Sequence, residues 1–201
     1  MMFKSILSVA AMAAVLVEAH VSITPPKINA DTYSSIAFRI PHGCNGSPTT
    51  KVTVKLPTNT SSVKGAFIPG WQISTTTRPL EVPFKSDGKE VNTTVDTVTW
   101  SADTAGNNSL PDTAYMDFGL TLKTPIKPNA NDKLAFDLYQ VCTNGSNNWT
   151  DTAPNGEHPQ PAVTLLPKGA STTATSGSFK TSASAMTLAM TMLLASAGYF
   201  L

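Results

Sequence analysis

The sequence predicts an all-β domain built as a two-sheet sandwich of the immunoglobulin-like or cupredoxin-like type. Short segments of alternating or β-branched residues recur along the central part of the chain. Turn-forming groups rich in Pro, Gly, Asn and Asp separate these segments. No window of this region shows sustained helical periodicity. About eight short strands in one domain are typical of such sandwiches.

Strand and turn patterns follow one another in order along the chain. The predicted strands are HVSIT at 20–24, SSIAFRI at 34–40, KVTVKL at 51–56, WQISTTT at 71–77, VDTVTWS at 95–101, YMDFGLTLK at 115–123, KLAFDLYQVC at 133–142 and AVTLL at 162–166. The predicted turns are PP at 25–26, GSP at 46–48, PG at 69–70, DG at 87–88, NAN at 129–131 and NG at 144–145. Together they place a single sandwich domain at 20–167, which is long enough to bury a sizeable core.

Residues 1–19 have the pattern of a secretory signal peptide. Lys4 precedes an apolar run, and small residues at Val17 and Ala19 fit the specificity of signal peptidase. A cut after Ala19 makes His20 the first residue of the mature protein.

The C-terminal segments predict a lipid anchor. Residues 168–185 are rich in Ser and Thr, which is typical of a flexible stalk. Residues 186–201 are apolar and uncharged, but they are short for a transmembrane helix. Small residues, a polar spacer and an apolar tail are the signal for a GPI anchor, with Ser176 or Gly177 as the attachment residue. The alternative is a single membrane span that begins near Ala183.

Six Asn-x-Ser/Thr sequons, combined with both terminal signals, predict a secreted glycoprotein anchored to the plasma membrane or cell wall of a eukaryotic cell. The two cysteines, Cys44 and Cys142, form an even pair, which predicts one disulfide in an oxidising compartment. A copper–thiolate site is the competing interpretation of this pair. The predicted glycosylation sites are Asn45, Asn59, Asn92, Asn107, Asn144 and Asn148.

Composition argues against several classes of function. Charged residues make up 13% of the chain and the net charge is +1. Without a basic cluster or an aromatic platform among lysines, nothing indicates a nucleic-acid partner. The sequence also lacks Gly-x-Ser-x-Gly and His-Glu-x-x-His motifs, and no carboxylate pair for glycoside hydrolysis stands out. We therefore assign no catalytic residues and expect a binding protein.

His20 is the strongest candidate for metal chemistry. After the predicted cut it carries a free α-amine and an imidazole, and these two nitrogens can close a chelate ring on one metal ion. Their reference pKa values are about 8 and 6.5, so Cu²⁺ competes well for both near neutral pH. The alternative is that the mature chain merely begins with histidine.

Four other residues have both a structural and a functional interpretation. His42, next to Cys44, is interpreted first as structural or solvent-facing, and His158 as a solvated loop histidine. If either folds back onto His20, the site becomes a two-histidine brace. Trp149 is either a core aromatic or a neighbour of the metal. Asp117, between two apolar residues, is either the solvent-facing member of an alternating strand or a carboxylate that is paired or metal-bound.

The chain resembles the YcnI-like domain family (DUF1775) over essentially all of 20–167. The order and spacing of several short motifs carry this resemblance. They are HVSITP at 20–25, FRIPHGCNGSPTT at 38–50, KVTVKLP at 51–57, PGW at 69–71, VTW at 98–100, LPD at 110–112, MDF at 116–118, QVC at 140–142, NWT at 148–150 and PAVTLLP at 161–167.

The resemblance implies a secreted or surface β-sandwich that binds Cu²⁺ through a mono-histidine brace and serves copper homeostasis. His20 matches the brace histidine, Trp149 matches the tryptophan of the family's Trp-Thr motif, and Asp117 falls in its acidic-Phe motif. Lys27 stands where many members carry a glutamate. The resemblance therefore implies Asp117, or secondarily Asp31, as the acidic ligand.

Three functions follow from these observations. The first is a copper-binding surface protein that captures, buffers or transfers Cu²⁺, with a copper transporter or another surface copper protein as a possible partner. The second is a copper oxidase resembling lytic polysaccharide monooxygenases, which requires His42 or His158 close to His20. The third is a cell-wall or adhesion domain without metal.

Overall fold

The computed structural model describes residues 20–86, 88–126, 132–153 and 155–170, and all regular structure in these ranges is β-strand. The predicted all-β class is therefore confirmed. The strands are β1 (Ser22–Thr24), β2 (Lys27–Asn29), β3 (Tyr33–Ile40), β4 (Thr49–Lys55), β5 (Ser61–Gly65), β6 (Trp71–Ser86), β7 (Lys89–Ala102), β8 (Met116–Lys123), β9 (Lys133–Ala135), β10 (Asp137–Cys142), β11 (Ser146–Trp149) and β12 (Ala162–Leu166).

The predicted signal peptide at 1–19, the anchor tail at 186–201 and both attachment candidates, Ser176 and Gly177, lie outside the described residues. Of the predicted stalk, only the first residues, up to Ala170, are described. Within the described ranges no helix is long and apolar enough to cross a membrane.

The strands form two large antiparallel sheets and a small third one. The first sheet has the order β1-β3-β8-β5 and the second has the order β11-β10-β4-β7-β6. The small sheet, β2-β12-β9, includes one parallel pair between β2 and β12. It extends the two-sheet sandwich expected from the sequence, because β9 and β10 form one chain segment that passes from the small sheet to the second sheet.

Alternation in the sequence determines which face of each strand is buried. In β3, Ile36, Phe38 and Ile40 are buried while the residues between them are not. The first and second sheets pack face to face through edge-to-face aromatic pairs, such as Phe118 against both Trp71 and Trp100, with ring centroids 5.1 and 5.6 Å apart. The core therefore lies between these sheets, as the period-2 pattern predicts.

The disulfide predicted from the cysteine pair is present. Cys44 and Cys142 are joined, 98 positions apart in the chain, and both are buried. The bond connects the segment after β3 to the end of β10, and thus ties the first sheet to the second. No cysteine of the chain remains free for a copper–thiolate site.

The hairpin of β6 and β7 is much longer than its neighbouring strand. β7 pairs with β4 only from Ser101 to Thr97, and beyond Thr97 it pairs with β6 alone. Gly88 turns the chain at the tip with a φ of +75°, a conformation that glycine adopts without steric cost. Side chains on this outer part are mostly exposed, including Val82, which is 78% exposed.

A groove of about 830 Å³ separates this hairpin from the ends of β3 and β8. Threonine, valine and serine side chains supply most of its wall, and Tyr33 and Ile126 are exposed at its rim.

All six sequon asparagines are exposed, as attachment of a glycan requires. Glycosylation itself stays a prediction.

Candidate metal centre

His20 lies beside Trp149. It precedes β1, and buried Val21 holds the backbone between His20 and the strand. Its exposed imidazole lies edge-to-face on the indole of Trp149, with ring centroids 6.2 Å apart and an interplanar angle of 74°. The fold thus brings together two residues that the sequence predicted to share a metal site.

His158 lies against the same indole. The ring centroids of Trp149 and His158 are 4.9 Å apart, with an interplanar angle of 78°. His158 is half-buried, and Trp149 is only 2% exposed. His158 therefore lies in a loop as expected, but its ring is only partly solvated because it packs on a buried tryptophan.

A buried glutamine fixes the orientation of this tryptophan. Trp149 Nε1 donates a hydrogen bond to Gln140 Oε1 at 3.1 Å. Gln140 Nε2 donates to the backbone carbonyl of His42 and to Thr49 Oγ1, both at 2.8 Å. Gln140 is fully buried, so each of these bonds replaces one that water would otherwise make. The indole is consequently held with its polar edge inward and its rings toward the histidines.

A short loop positions His158. The Asp151 carboxylate accepts the backbone N–H of His158 at 2.9 Å, and Asp151 N–H donates to the His158 carbonyl at 3.1 Å. Gln160 N–H donates to the Asp151 carbonyl at 2.8 Å. A Cβ at Gly156 would approach the side chain of Asp151 to 2.5 Å, so a residue without a side chain is needed there. The loop is closed around Asp151 and presents His158 to Trp149.

His42 takes part in a different way from the other two histidines. Its backbone carbonyl belongs to the Gln140 network, while its Nδ1 donates to the carbonyl of Gly43. It is half-buried next to the disulfide, as expected for a structural histidine.

Asp117 is exposed on the outer face of the first sheet. Arg39 holds both of its carboxylate oxygens, through Nε and Nη2, at 2.8 Å each. These hydrogen bonds lower the pKa of the Asp117 carboxyl below its usual value. Ser22, Arg39 and Asp117 lie side by side in register, so Asp117 lies about 10 Å across the sheet from Ser22. Asp117 thus occupies the solvent-facing position of an alternating strand, and a role as copper ligand stays a prediction that requires this ion pair to open.

Asp31 is remote from His20. Because Ser22 pairs with Arg39, His20 lies at the Ile40 end of β3, whereas Asp31 precedes the opposite end. An eight-residue strand separates the two ends by about 24 Å. Asp31 instead pairs with Lys168 at 2.6 Å. The expectation that Asp31 could substitute as the acidic ligand is therefore wrong.

The family model described as "Domain of unknown function (DUF1775)" matches residues 20–166. The chain belongs to this family. The YcnI-like resemblance seen in the sequence motifs is therefore confirmed.

Two known proteins are similar to this chain. The copper-binding protein CutI of Bacillus subtilis (strain 168) is 31% identical over 128 residues, which cover 64% of this chain and 53% of CutI. This chain thus spans about half the length of that curated relative. A crystal structure of an uncharacterized protein from Nocardia farcinica, described as having an immunoglobulin-like fold, is 29% identical with a TM-score of 0.54. The match covers 73% of this chain and 98% of that one, which confirms the immunoglobulin-like fold predicted here.

Sequence reasoning missed two residues that support the centre of this DUF1775 protein. Gln140 falls in the buried phase of β10, between Leu138 and Cys142. A polar residue at that phase is a readable signal for a buried hydrogen-bond network. Asp151 follows the Asn-Trp-Thr motif directly, but its contact with His158 depends on loop geometry that no spacing rule specifies.

Proposed function

We propose that this DUF1775 protein is an extracellular, cell-surface copper(II)-binding protein that captures, buffers or transfers the ion, and that it is not an enzyme. The observation that carries the proposal is the placement of His20 on the buried indole of Trp149. The identity to CutI, which is named a copper-binding protein, supports the choice of metal.

The chemistry follows from the position of His20 at the predicted cut. Once the preceding peptide bond is cleaved, the α-amine and the imidazole of His20 form one chelate ring on the ion. Nitrogen donors suit Cu²⁺, which stands at the top of the stability order for divalent first-row metals. Trp149 lies against the imidazole and shields one side of the site from solvent. Asp117 would balance the charge of the ion after release from Arg39.

The proposal is tested on protein that begins at His20, with the N-terminus verified by mass spectrometry. We expect near-stoichiometric Cu²⁺ binding and an EPR spectrum with nitrogen ligation. One extra residue before His20, or His20→Ala, should abolish that binding, because the first removes the free amine and the second removes the imidazole. Equal binding by the extended protein would refute the brace. A folded native chain that binds no copper would favour the cell-wall or adhesion function.

The contact of His158 with Trp149 favours one alternative, a copper oxidase with a two-histidine site. This function predicts catalytic oxidation of a reductant such as ascorbate by O₂ or peroxide in the copper-loaded protein, with loss of turnover in His20→Ala. Stoichiometric copper binding without turnover above that of free Cu²⁺ would support the binding function instead.

The location is part of the same proposal. Secretion, six N-linked glycans and a GPI anchor attached at Ser176 or Gly177 would hold the domain on the plasma membrane or cell wall. Release of the full-length protein from cells by a phosphatidylinositol-specific phospholipase C would support the anchor, and failure of release would favour the membrane span near Ala183. A surface copper transporter is the partner that this location suggests.

A further inference from the structure

We propose that His158 supplies a second imidazole to the copper(II) site that His20 begins, so that Trp149 is the platform for two ligands. This inference rests on the proposed function, because His158 alone would not hold the ion. It assigns a metal-binding role to a residue that the sequence left open between a solvated loop histidine and the second histidine of a brace.

The first observation is the shared indole. His20 and His158 come from opposite ends of the domain sequence, yet their rings both lie edge-to-face on Trp149, with centroid distances of 6.2 and 4.9 Å. Their interplanar angles to the indole are also close, at 74° and 78°. The two imidazole centroids are therefore no more than about 11 Å apart, which is the limit set by these two distances.

The second observation is that both imidazoles are available for binding. Among the hydrogen bonds of the described residues, none involves a ring nitrogen of His20 or of His158. His158 is half-buried, yet its ring nitrogens are not among the buried polar atoms that lack a partner, so they are accessible from solvent. An arriving metal ion can therefore reach them.

The third observation concerns how each histidine is held. The backbone of His158 is fixed by its two hydrogen bonds with Asp151. His20 precedes β1 and makes no strand pairing, so its side chain and amine can turn toward His158 without breaking a ladder hydrogen bond. His158 is thus preorganised for binding, and His20 can move to bind the same ion.

The fourth observation is the nature of the remaining donors. Both carboxylate oxygens of Asp117 are held by Arg39, and Asp31 lies at the far end of β3. The His20 amine and two imidazoles form a set of three nitrogens, which suits the tetragonal coordination of Cu²⁺. A group of three or more His, Cys, Asp and Glu side chains is not found among the described residues, so the α-amine is needed to complete this set.

The experiment counts imidazole ligands directly. Protein that begins at His20 is loaded with one equivalent of Cu²⁺. Electron spin-echo envelope modulation then detects the remote nitrogen of each bound imidazole, first in unlabelled protein and then in protein that contains ¹⁵N-histidine. We expect two equatorial imidazoles in the wild type and one in His158→Phe, which keeps a ring against Trp149 but has no nitrogen. We expect the copper dissociation constant of His158→Phe to be at least about tenfold higher than that of the wild type. Loss of a group that only supports a metal ligand already weakens metal binding by about tenfold or more.

Two controls separate the possible outcomes. His42→Phe removes an imidazole whose Nδ1 donates to Gly43 but keeps the backbone carbonyl that joins the Gln140 network, and it should retain two imidazoles on the ion. His158→Ala, checked for folding by circular dichroism, repeats the test without an added ring. One imidazole in the wild type, with unchanged affinity in both His158 variants, would overturn the role of His158 and leave the His20 brace standing. Copper affinity that is unchanged by an extra residue before His20 would instead overturn the proposed function itself.

Discussion

The two ends of the sandwich differ in how they use polar groups and backbone. The histidine end, which carries His20, Trp149 and His158, has a buried amide network next to the disulfide. The hairpin end, which carries the outer parts of β6 and β7 (77–86 and 89–95), extends beyond β4 and exposes most of its side chains. The first end is bonded across sheets. The second is bonded mainly within one hairpin, and at its base Arg78 donates to the carbonyls of Leu56 and Pro57 while Thr94 donates to that of Thr60.

This difference indicates where the molecule requires a single conformation. Fixing the Trp149 indole through Gln140 costs conformational entropy and requires the amide of Gln140 to lose its water. Hydrogen bonds offset these costs only where each buried polar group has a partner. Such preorganisation is what a binding site with few ligands needs. Stability and order should therefore be concentrated at the histidine end.

The largest expected effect comes from removing the disulfide. Replacing Cys44 and Cys142 by alanine together should lower the free energy of unfolding by about 4–5 kcal/mol, because the bond joins residues 98 positions apart and closes a loop of about two-thirds of the domain. Denaturant unfolding followed by tryptophan fluorescence measures this loss. As a matched control at the hairpin end, Val82→Ala should change stability by no more than about 0.5 kcal/mol. Similar losses of stability in the two variants would contradict the difference between the histidine end and the hairpin end.

A smaller effect is expected from the buried amide. Gln140→Leu leaves Trp149 Nε1 without its acceptor and removes the donor to the His42 carbonyl and Thr49 Oγ1, so the free energy of unfolding should fall by about 1–3 kcal/mol. Copper affinity should fall with it, because the indole is no longer held. Gln72→Leu, at an exposed position of β6, is the matched control and should leave both stability and copper affinity unchanged. Unchanged copper affinity in Gln140→Leu would show that the network does not position the site.

The smallest effect concerns the exposed ion pair of Arg39 and Asp117. Because the hydrogen bond from Arg39 lowers the pKa of Asp117 below 3.8, the pair's stabilisation is fully present above that pH and is lost as pH falls through the lowered pKa. Both side chains are about 40% exposed, with values of 43% and 40%, so the contribution is at most about 1 kcal/mol. The stability difference between wild type and Asp117→Asn should therefore be small at about pH 6 and vanish near about pH 2. A difference that grows on acidification would have the wrong sign for this pair.

Periodicity predicted most of the fold, because the core strands alternate clearly. All eight predicted strand segments contain strands in the structure. Three short strands were missed, β2, β5 and β11, and each has few apolar residues to reveal a period. The outer part of the β6–β7 hairpin was missed for a related reason, because most of its side chains are exposed and few of its positions are buried enough to give a clear alternation.

The candidate site was only partly predictable. His20 could be singled out from processing and Trp149 from the family motif, because both signals are local in the sequence. The contact of His158 with Trp149 could not be predicted, since it depends on the loop closed by Asp151. The sequence could not predict either that Arg39 occupies the Asp117 carboxylate. The two residues are far apart in the chain and become neighbours only because β3 and β8 pair in this register.

The path of the chain from His20 to Asn29 also determines how the domain is oriented on a surface. This segment runs from the histidine end to the opposite end, where Asn29 donates to the carbonyl of Ala170 and Asp31 binds Lys168. The chain therefore leaves the domain at the end farthest from His20. A tether that begins there would direct the histidines outward, toward ions arriving from the surroundings. If the proposed anchor holds this end at a membrane, the histidines face away from any transporter in that membrane.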